Sequence, residues 1–431
     1  MRLRIALTLA LPVLLAASAV AGLVSAQSAV AAAAAPAADP VDAFAARYAG
    51  PAILPGMVVA VGKGDAPTVF HSAGRIAFPA AAPAAGPDSL WRIYSMTKPV
   101  TGIAAMILIQ EGKLRLDQPI ADFIPAFRAM RVLNGPDSLA SHPATRPITV
   151  RNLLTHTAGL GYHIVTKGPL LREFERLGLN TGAFNAYYDE ENRAAGPRSL
   201  AEFADRLASL PLIAEPGTRW SYSYSIDLLG RVIEVASGMP FDRFVEQRIL
   251  TPLKMRSSFF TVPPRAAARL ATNYMFFADL PLPIDPGRHS IWLKPPAFPY
   301  GGAGLVSSAR DYDRFLHMLE NEGALDGVRI LKPEIARLAM SNLLPDGIDT
   351  KPINAMTGNA TASLGFGAAG MVYLADMPGG PAKGSYGWSG AAGSLAWVDR
   401  ARKVRGVMMV NYFGRSLPIQ PEIMRIVYAG R

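Results

Sequence analysis

No cysteine occurs anywhere in the 431 residues. That excludes a disulfide framework, a lipid-attachment cysteine and a thiolate metal site. Histidine is scarce as well: there are six, at positions 71, 142, 156, 163, 289 and 317. None has paired ligand spacing such as His-Glu-x-x-His, so neither a metal nor a cofactor is expected. The chain lacks any run of five or six basic residues, although its net charge is +10. Scattered charge reads as a solvated basic surface and not as a nucleic-acid footprint. Beyond the N-terminus there is also no apolar run long enough to span a membrane. Hydrophobic residues nevertheless make up 50% of the chain, enough for a large core in one big domain or two intimate ones.

The N-terminus is built differently. Arg2 and Arg4 precede an apolar run from Ile5 to Val24, and Val24-Ser25-Ala26 is a small-residue cleavage pattern. Residues 1–26 are therefore read as a secretory signal peptide cut after Ala26, which gives a secreted or periplasmic protein. An uncleaved anchor is the competing reading. Pro12 and the cleavable end argue for removal. Residues 27–40 are rich in Ala, Ser and Pro and read as a disordered lead-in. The folded domain is expected over 41–431.

Strand patterning marks both ends of that domain. Met57–Val61 and Thr68–Ser72 lie near its start; Gly370–Leu374, Ser394–Val398 and Val404–Tyr412 lie near its end. The middle reads as helical and loop-rich, with helices expected at Val150–Leu154, Pro169–Leu177, Leu200–Leu210, Ser225–Ala236, Phe241–Ile249 and Asp311–Glu320. Residues 273–300 are broken by Pro281, Pro283, Pro286, Pro295, Pro296 and Pro299 and read as an irregular loop beside a pocket. The simplest packing joins the two ends into one antiparallel sheet, from about 41–94 and 365–431, covered by the terminal helices. A mainly helical lobe spans about 95–364. The expected class is α/β of the α+β type, with a site at the seam between lobes.

Three stretches carry chemistry. Ser95-Met96-Thr97-Lys98 is a Ser-x-x-Lys at the start of the apolar helical run Val100–Ile109. Positions i and i+3 share a helix face, which sets a hydroxyl beside an amine. A serine needs a nearby base to become a nucleophile, and a desolvated lysine can serve. Pro99 requires the helix to begin close before it, leaving Ser95 at the entrance. Next, Glu215-Pro216-Gly217 turns into Trp220-Ser221-Tyr222-Ser223-Tyr224, where a phenol near a lysine can act as acid and base. Third, Tyr386-Gly387-Trp388-Ser389-Gly390-Ala391-Ala392-Gly393 has the glycines that let backbone approach a ligand. Each stretch also has a plain reading: a chance match, aromatic packing and a glycine turn. Gly387-Trp388-Ser389-Gly390-Ala391 falls one residue short of a nucleophile elbow, and no histidine follows it. His156, between two threonines, reads as a structural hydrogen-bonding residue.

Taken together, the order and spacing of Ser95-Met96-Thr97-Lys98, Tyr222-Ser223 and Trp388-Ser389-Gly390 resemble those of the serine β-lactamase and penicillin-binding-protein superfamily. Within it, the chain resembles the class C-like family VIII carboxylesterases. Leu153-Leu154-Thr155-His156-Thr157-Ala158-Gly159-Leu160 and Asp227-Leu228-Leu229-Gly230 match the same habit. The resemblance covers about 41–430. It implies a β-lactamase/transpeptidase-like fold and an acyl-enzyme on Ser95, with Lys98 and Tyr222 as acid and base. It implies an oxyanion hole from the backbone N–H groups of Ser95 and Ala391, and substrate contacts from Trp388, Ser389, Gly390 and Tyr224. The partner implied is a small-molecule ester.

Two positions depart from the family's pattern. Tyr224 stands where penicillin-active relatives usually carry Asn, and the neutral Trp388 stands where they carry a cation. Losing a charge-assisted contact forfeits a few kcal/mol. Both changes favour esters with apolar acyl groups over β-lactams. A β-lactamase or D-amino-acid peptidase is the alternative reading, and a catalytically silent binding module is the third.

Overall fold

Strands from the two ends of the chain build one antiparallel sheet, as their patterning requires. The structure is a computed structural model that describes residues 39–51, 53–179 and 185–429. The expected signal peptide, and all of the lead-in up to residue 38, lie outside them. The sheet strands are β1 (Gly56–Lys63), β2 (Val69–Gly74), β3 (Leu364–Phe366), β4 (Met371–Tyr373), β5 (Tyr386–Ser389), β6 (Leu395–Asp399) and β7 (Val404–Met409). Their spatial order is β3-β4-β5-β6-β7-β1-β2. β1 and β7 pair directly, from Val58 opposite Met409 to Lys63 opposite Val404.

Terminal helices cover the outer face. α1 (Pro40–Tyr48) is capped by the Asp39 side chain, which accepts from the Val41 N–H at 2.7 Å. Its Pro40 sits at the first helical position, where a missing N–H costs nothing. α5 (Ile419–Tyr428) lies beside it. Phe44, Ile423 and Val427 from these helices pack on Val59, Trp397 and Met408 of the sheet. Burying a side chain such as Phe44 contributes roughly 1.5–3 kcal/mol. His71 on β2 meets Asp42 of α1 at 2.8 Å and ties that helix down.

The inner face carries the helical lobe. α2 (Thr97–Gln110) is buried from Thr97 to Leu108, which explains why it reads as apolar all round. Gly112, at φ +72°, ends it. α3 (Ser225–Ser237) packs against α2, and Gly238 ends α3 in the left-handed region at φ +71°. α4 (Ala309–Glu320) packs on β7, where Arg405 donates to Asp313 at 2.9 Å and Glu320 at 2.5 Å. The expected helix at 241–249 is helical to Val245 and then forms a wider π turn, Glu246–Leu250. Among the described residues no helix is long and apolar enough to cross a membrane.

Two expectations need correction. Residues 273–285 are not an irregular loop: Asn273–Phe277 and Leu280–Asp285 form a hairpin. Tyr412–Phe413 pairs in parallel with its first strand, so the proline-bearing strand lies at the edge. Pro281 and Pro283 are tolerated there because an edge strand needs no N–H on its open side. The glycine-rich third stretch is likewise a strand, β5, and not only a turn. A Cβ on Gly387 would lie 2.2 Å from the Ala396 carbonyl oxygen, so the close approach of β6 demands glycine.

Candidate active site

A strained turn delivers Ser95. The short strand Trp91–Arg92 pairs with Val306–Ser307, and Tyr94 then takes φ +43°, a costly value for a bulky side chain. A 3₁₀ turn, Tyr94–Met96, leads directly into α2. Pro99 lies in the first turn of α2, where no intrahelical N–H is needed. Ser95 is half-buried and Lys98 is completely buried. Lys98 Nζ donates to Ser95 Oγ at 3.1 Å and to the Gly302 carbonyl at 2.6 Å.

Tyr222 approaches from the loop before α3. Its hydroxyl donates to Ser95 Oγ at 2.8 Å, and its ring lies 4.6 Å from Lys98 Nζ. A cation over an aromatic face is attracted by the ring quadrupole, which steadies both partners. The Trp388 indole N–H donates to the Tyr222 hydroxyl at 3.3 Å. His156 packs its ring 4.8 Å from that of Tyr222 and meets Ser223 Oγ at 2.9 Å through Nδ1. Burial, aided by the Lys98 charge, pushes His156 well below its ordinary pKa, so it is neutral. It supports Tyr222 as a packing and hydrogen-bonding residue.

Lys98 is held by residues whose role the sequence did not reveal. Asp227, on the first turn of α3, accepts the Gly302 N–H at 3.0 Å. Thr101 donates to the Gly301 carbonyl at 2.7 Å. A Cβ on Gly301 would lie 2.5 Å from the Ile226 carbonyl oxygen, so only glycine passes between α2 and α3. Burial raises the pKa of Asp227, and the Lys98 charge partly offsets that shift. The visible signals were Gly301-Gly302-Ala303-Gly304 and an aspartate within an apolar helix.

The remaining candidates divide. Gly390 stands where a Cβ would lie 2.5 Å from the Ile93 carbonyl oxygen, so the third stretch abuts the turn carrying Ser95. On β5, the β4 pairing stops at Gly387, which leaves the edge beyond it open. Among the described residues, the backbone N–H groups of Ser95 and Ala391 have no protein hydrogen-bond acceptor. Trp388 is buried against Tyr222 and Phe366. Ser389, by strand alternation, takes the opposite face. There it borders an apolar groove of about 330 Å³ with Met371, Trp397 and Met424. Tyr224 is a correction: it is fully buried among Tyr162, Phe174 and Phe203, with its hydroxyl donated to the Leu179 carbonyl. It is not placed to touch a substrate.

Comparison with known proteins identifies the family and the fold. The beta-lactamase family model matches residues 41–429. The chain belongs to the beta-lactamase family. Esterase EstB of Burkholderia gladioli is 31% identical over 363 residues, 79% of this chain and 83% of that protein. Protein Rv1367c of Mycobacterium tuberculosis is 35% identical over 326 residues, 72% of this chain and 75% of that one. Among solved structures, the family member EstCE1, described as a hydrolase with promiscuous acyltransferase activity, superposes with a TM-score of 0.73 at 26% identity. The match covers 90% of this chain and 97% of EstCE1. The β-lactamase/transpeptidase-like fold expected from the motifs is thus the fold observed.

Proposed function

We propose that this family member is a serine carboxylesterase, able to pass its acyl group to water or to an alcohol. The observation that carries the reading is the convergence of Lys98 Nζ at 3.1 Å and Tyr222 Oη at 2.8 Å on Ser95 Oγ. In this reading the Lys98–Tyr222 pair acts after losing one proton to solvent: Ser95 Oγ attacks the ester carbonyl and its proton passes to the deprotonated member of the pair. The negative charge that develops on the carbonyl oxygen is met by the unpartnered N–H groups of Ser95 and Ala391. The same pair returns the proton to the leaving alkoxide, which departs as the alcohol. Water or a second alcohol then attacks the acyl-enzyme carbonyl and gives its proton to the pair; the Ser95 Oγ–acyl bond breaks, the pair returns the proton to Ser95 Oγ, and the acid or new ester leaves.

The substrate class follows from Trp388. A neutral indole replaces the cation that would meet a substrate carboxylate, and it is occupied with Tyr222. That favours uncharged esters over penicillins, the alternative substrates for the same fold. Esterase EstB, the lovastatin esterase of Penicillium rubens and EstCE1 are named for ester or acyl chemistry, which supports the reading. Export through residues 1–26 completes the proposal. The test is a chain-length panel of p-nitrophenyl esters beside nitrocefin, with wild type and Ser95→Ala. Ester turnover should depend on Ser95 and exceed nitrocefin turnover. Equal turnover of both would overturn the substrate assignment. A fluorophosphonate that leaves no adduct on Ser95 would favour a silent binding module.

A further inference from the structure

The two N–H groups assigned above to the oxyanion come from segments almost 300 residues apart in sequence, yet a single short segment touches both. Asn411 follows β7 and is 3% exposed. Its side-chain amide grips the backbone of Arg92 from both sides: Oδ1 accepts the Arg92 N–H at 3.0 Å, and Nδ2 donates to the Arg92 carbonyl at 2.9 Å. This pair imitates a β-ladder contact. The next residue reaches the other way, with the Tyr412 N–H donating to the Ala392 carbonyl at 3.1 Å. Residues 411–412 therefore span from three positions before Ser95 to one position after Ala391.

The grip is reinforced from behind. Arg92 is completely buried. Its Nε donates to Asp285 Oδ2 at 2.6 Å, Nη1 to the Ala271 carbonyl at 2.5 Å and Nη2 to Ser290 Oγ at 3.0 Å. Asp285 is itself satisfied by Ser290 Oγ at 2.6 Å and the Ile291 N–H at 3.1 Å. Tyr94 is fixed by Asn273 Nδ2, which donates to its hydroxyl at 2.8 Å. A guanidinium with its fork this fully used fixes orientation as well as charge. The strained Tyr94 turn is thus over-determined by its surroundings, the condition under which such strain persists.

We propose that Asn411 and Arg92 are positioning residues that set the spacing and aim of the Ser95 and Ala391 N–H groups. This rests on the esterase reading above. Neither residue touches the reacting atoms; both act through the backbone they hold. Misplacing an oxyanion donor is expensive, because preorganised donors stabilise the transition state only at the right distance.

The experiment measures p-nitrophenyl butyrate turnover by wild type, Asn411→Ala and Arg92→Lys. Each rate is divided by the concentration of active sites found by burst titration. Inhibition by phenylboronic acid, a tetrahedral mimic, is measured on the same samples. Asn411→Ala should lower kcat per titrated site about 10- to 100-fold, with KM within about threefold, and weaken phenylboronate by a similar factor. Arg92→Lys keeps the charge opposite Asp285 and should move both quantities the same way to a smaller extent. It also provides a second reading should the alanine variant fold poorly. A purely structural role would lower only the number of titrated sites. Unchanged kcat per site and unchanged phenylboronate inhibition in both variants would overturn the proposal. If wild type shows neither a Ser95-dependent burst nor phenylboronate inhibition, the esterase reading falls first and takes the proposal with it.

Discussion

Removing a single oxygen, in Tyr222→Phe, separates the chemistry of the site from its packing. The ring contacts remain: Lys98 over the face at 4.6 Å, His156 at 4.8 Å and Trp388 at 5.8 Å. What is lost is the donor to Ser95 Oγ at 2.8 Å and the acceptor for Trp388 Nε1 at 3.3 Å. Leaving the buried indole N–H unpaired costs stability of roughly 1–3 kcal/mol. Loss of a general acid–base should cost about 10²- to 10⁴-fold in kcat. At 1.36 kcal/mol per decade, that is about 2.7–5.4 kcal/mol of barrier. The two losses fall on different observables. Initial rates on p-nitrophenyl butyrate, burst kinetics and thermal unfolding of the same preparation measure both. KM should change little, because the hydroxyl meets the reacting serine and not the body of a substrate. A kcat within tenfold of wild type, with an unaltered burst, would refute the assignment of Tyr222 to proton transfer.

Other changes should follow the same physics. Trp388→Lys restores a cation at the third motif, so the ratio of nitrocefin to ester turnover should rise at least about tenfold. An unchanged ratio would detach Trp388 from substrate choice. Gly390→Ala forces a methyl to within 2.5 Å of the Ile93 carbonyl oxygen and 2.8 Å of Ser394 Oγ. The backbone contact cannot yield cheaply, so denaturant melts should show about 1–3 kcal/mol of destabilisation along with lost turnover. His163 is pushed by burial from its ordinary 6.5 down to about 4. The unfolded chain therefore takes up a proton that the folded one refuses between those values. Stability should fall as pH drops from 6.5 towards 4, by up to roughly 3 kcal/mol from this group. Denaturant melts of His163→Gln across that range should show a shallower slope than wild type; equal slopes would refute the attribution.

Legibility in the sequence tracked distance along the chain. Ser95 and Lys98 were readable because one helical turn relates them; Tyr222, 127 positions from Ser95, was singled out by the resemblance to the serine β-lactamase superfamily. The sheet's two-ended origin was readable from alternation at both ends. Contacts set by tertiary packing were not. The Trp388–Tyr222 hydrogen bond bridges 166 positions, and the Arg92–Asp285 pair bridges 193. Tyr224 was misassigned because its ring is held among those of Phe174 and Phe203, contacts that adjacent residues do not encode. β5 was obscured because Gly387 has poor strand propensity and is there only to admit β6. The 273–285 hairpin was obscured for a related reason, since prolines that weaken the reading of a strand are harmless at an edge.

The pairing of β1 with β7 has a consequence for how the molecule is made. Val58 leaves the ribosome about 350 residues before its partner Met409. Until β7 emerges, β1 and β2 are a hairpin with an exposed edge, and two strands alone are marginal in water. Ser95 is also synthesised early, but the side chains that brace its turn, Asp285 and Asn411, arrive late. The chain should therefore pass through synthesis without a finished nucleophile turn and acquire it only when its last segment docks. A truncation before residue 404 should yield no hydrolase at all, although every residue of the Ser95, Lys98 and Tyr222 constellation would be present.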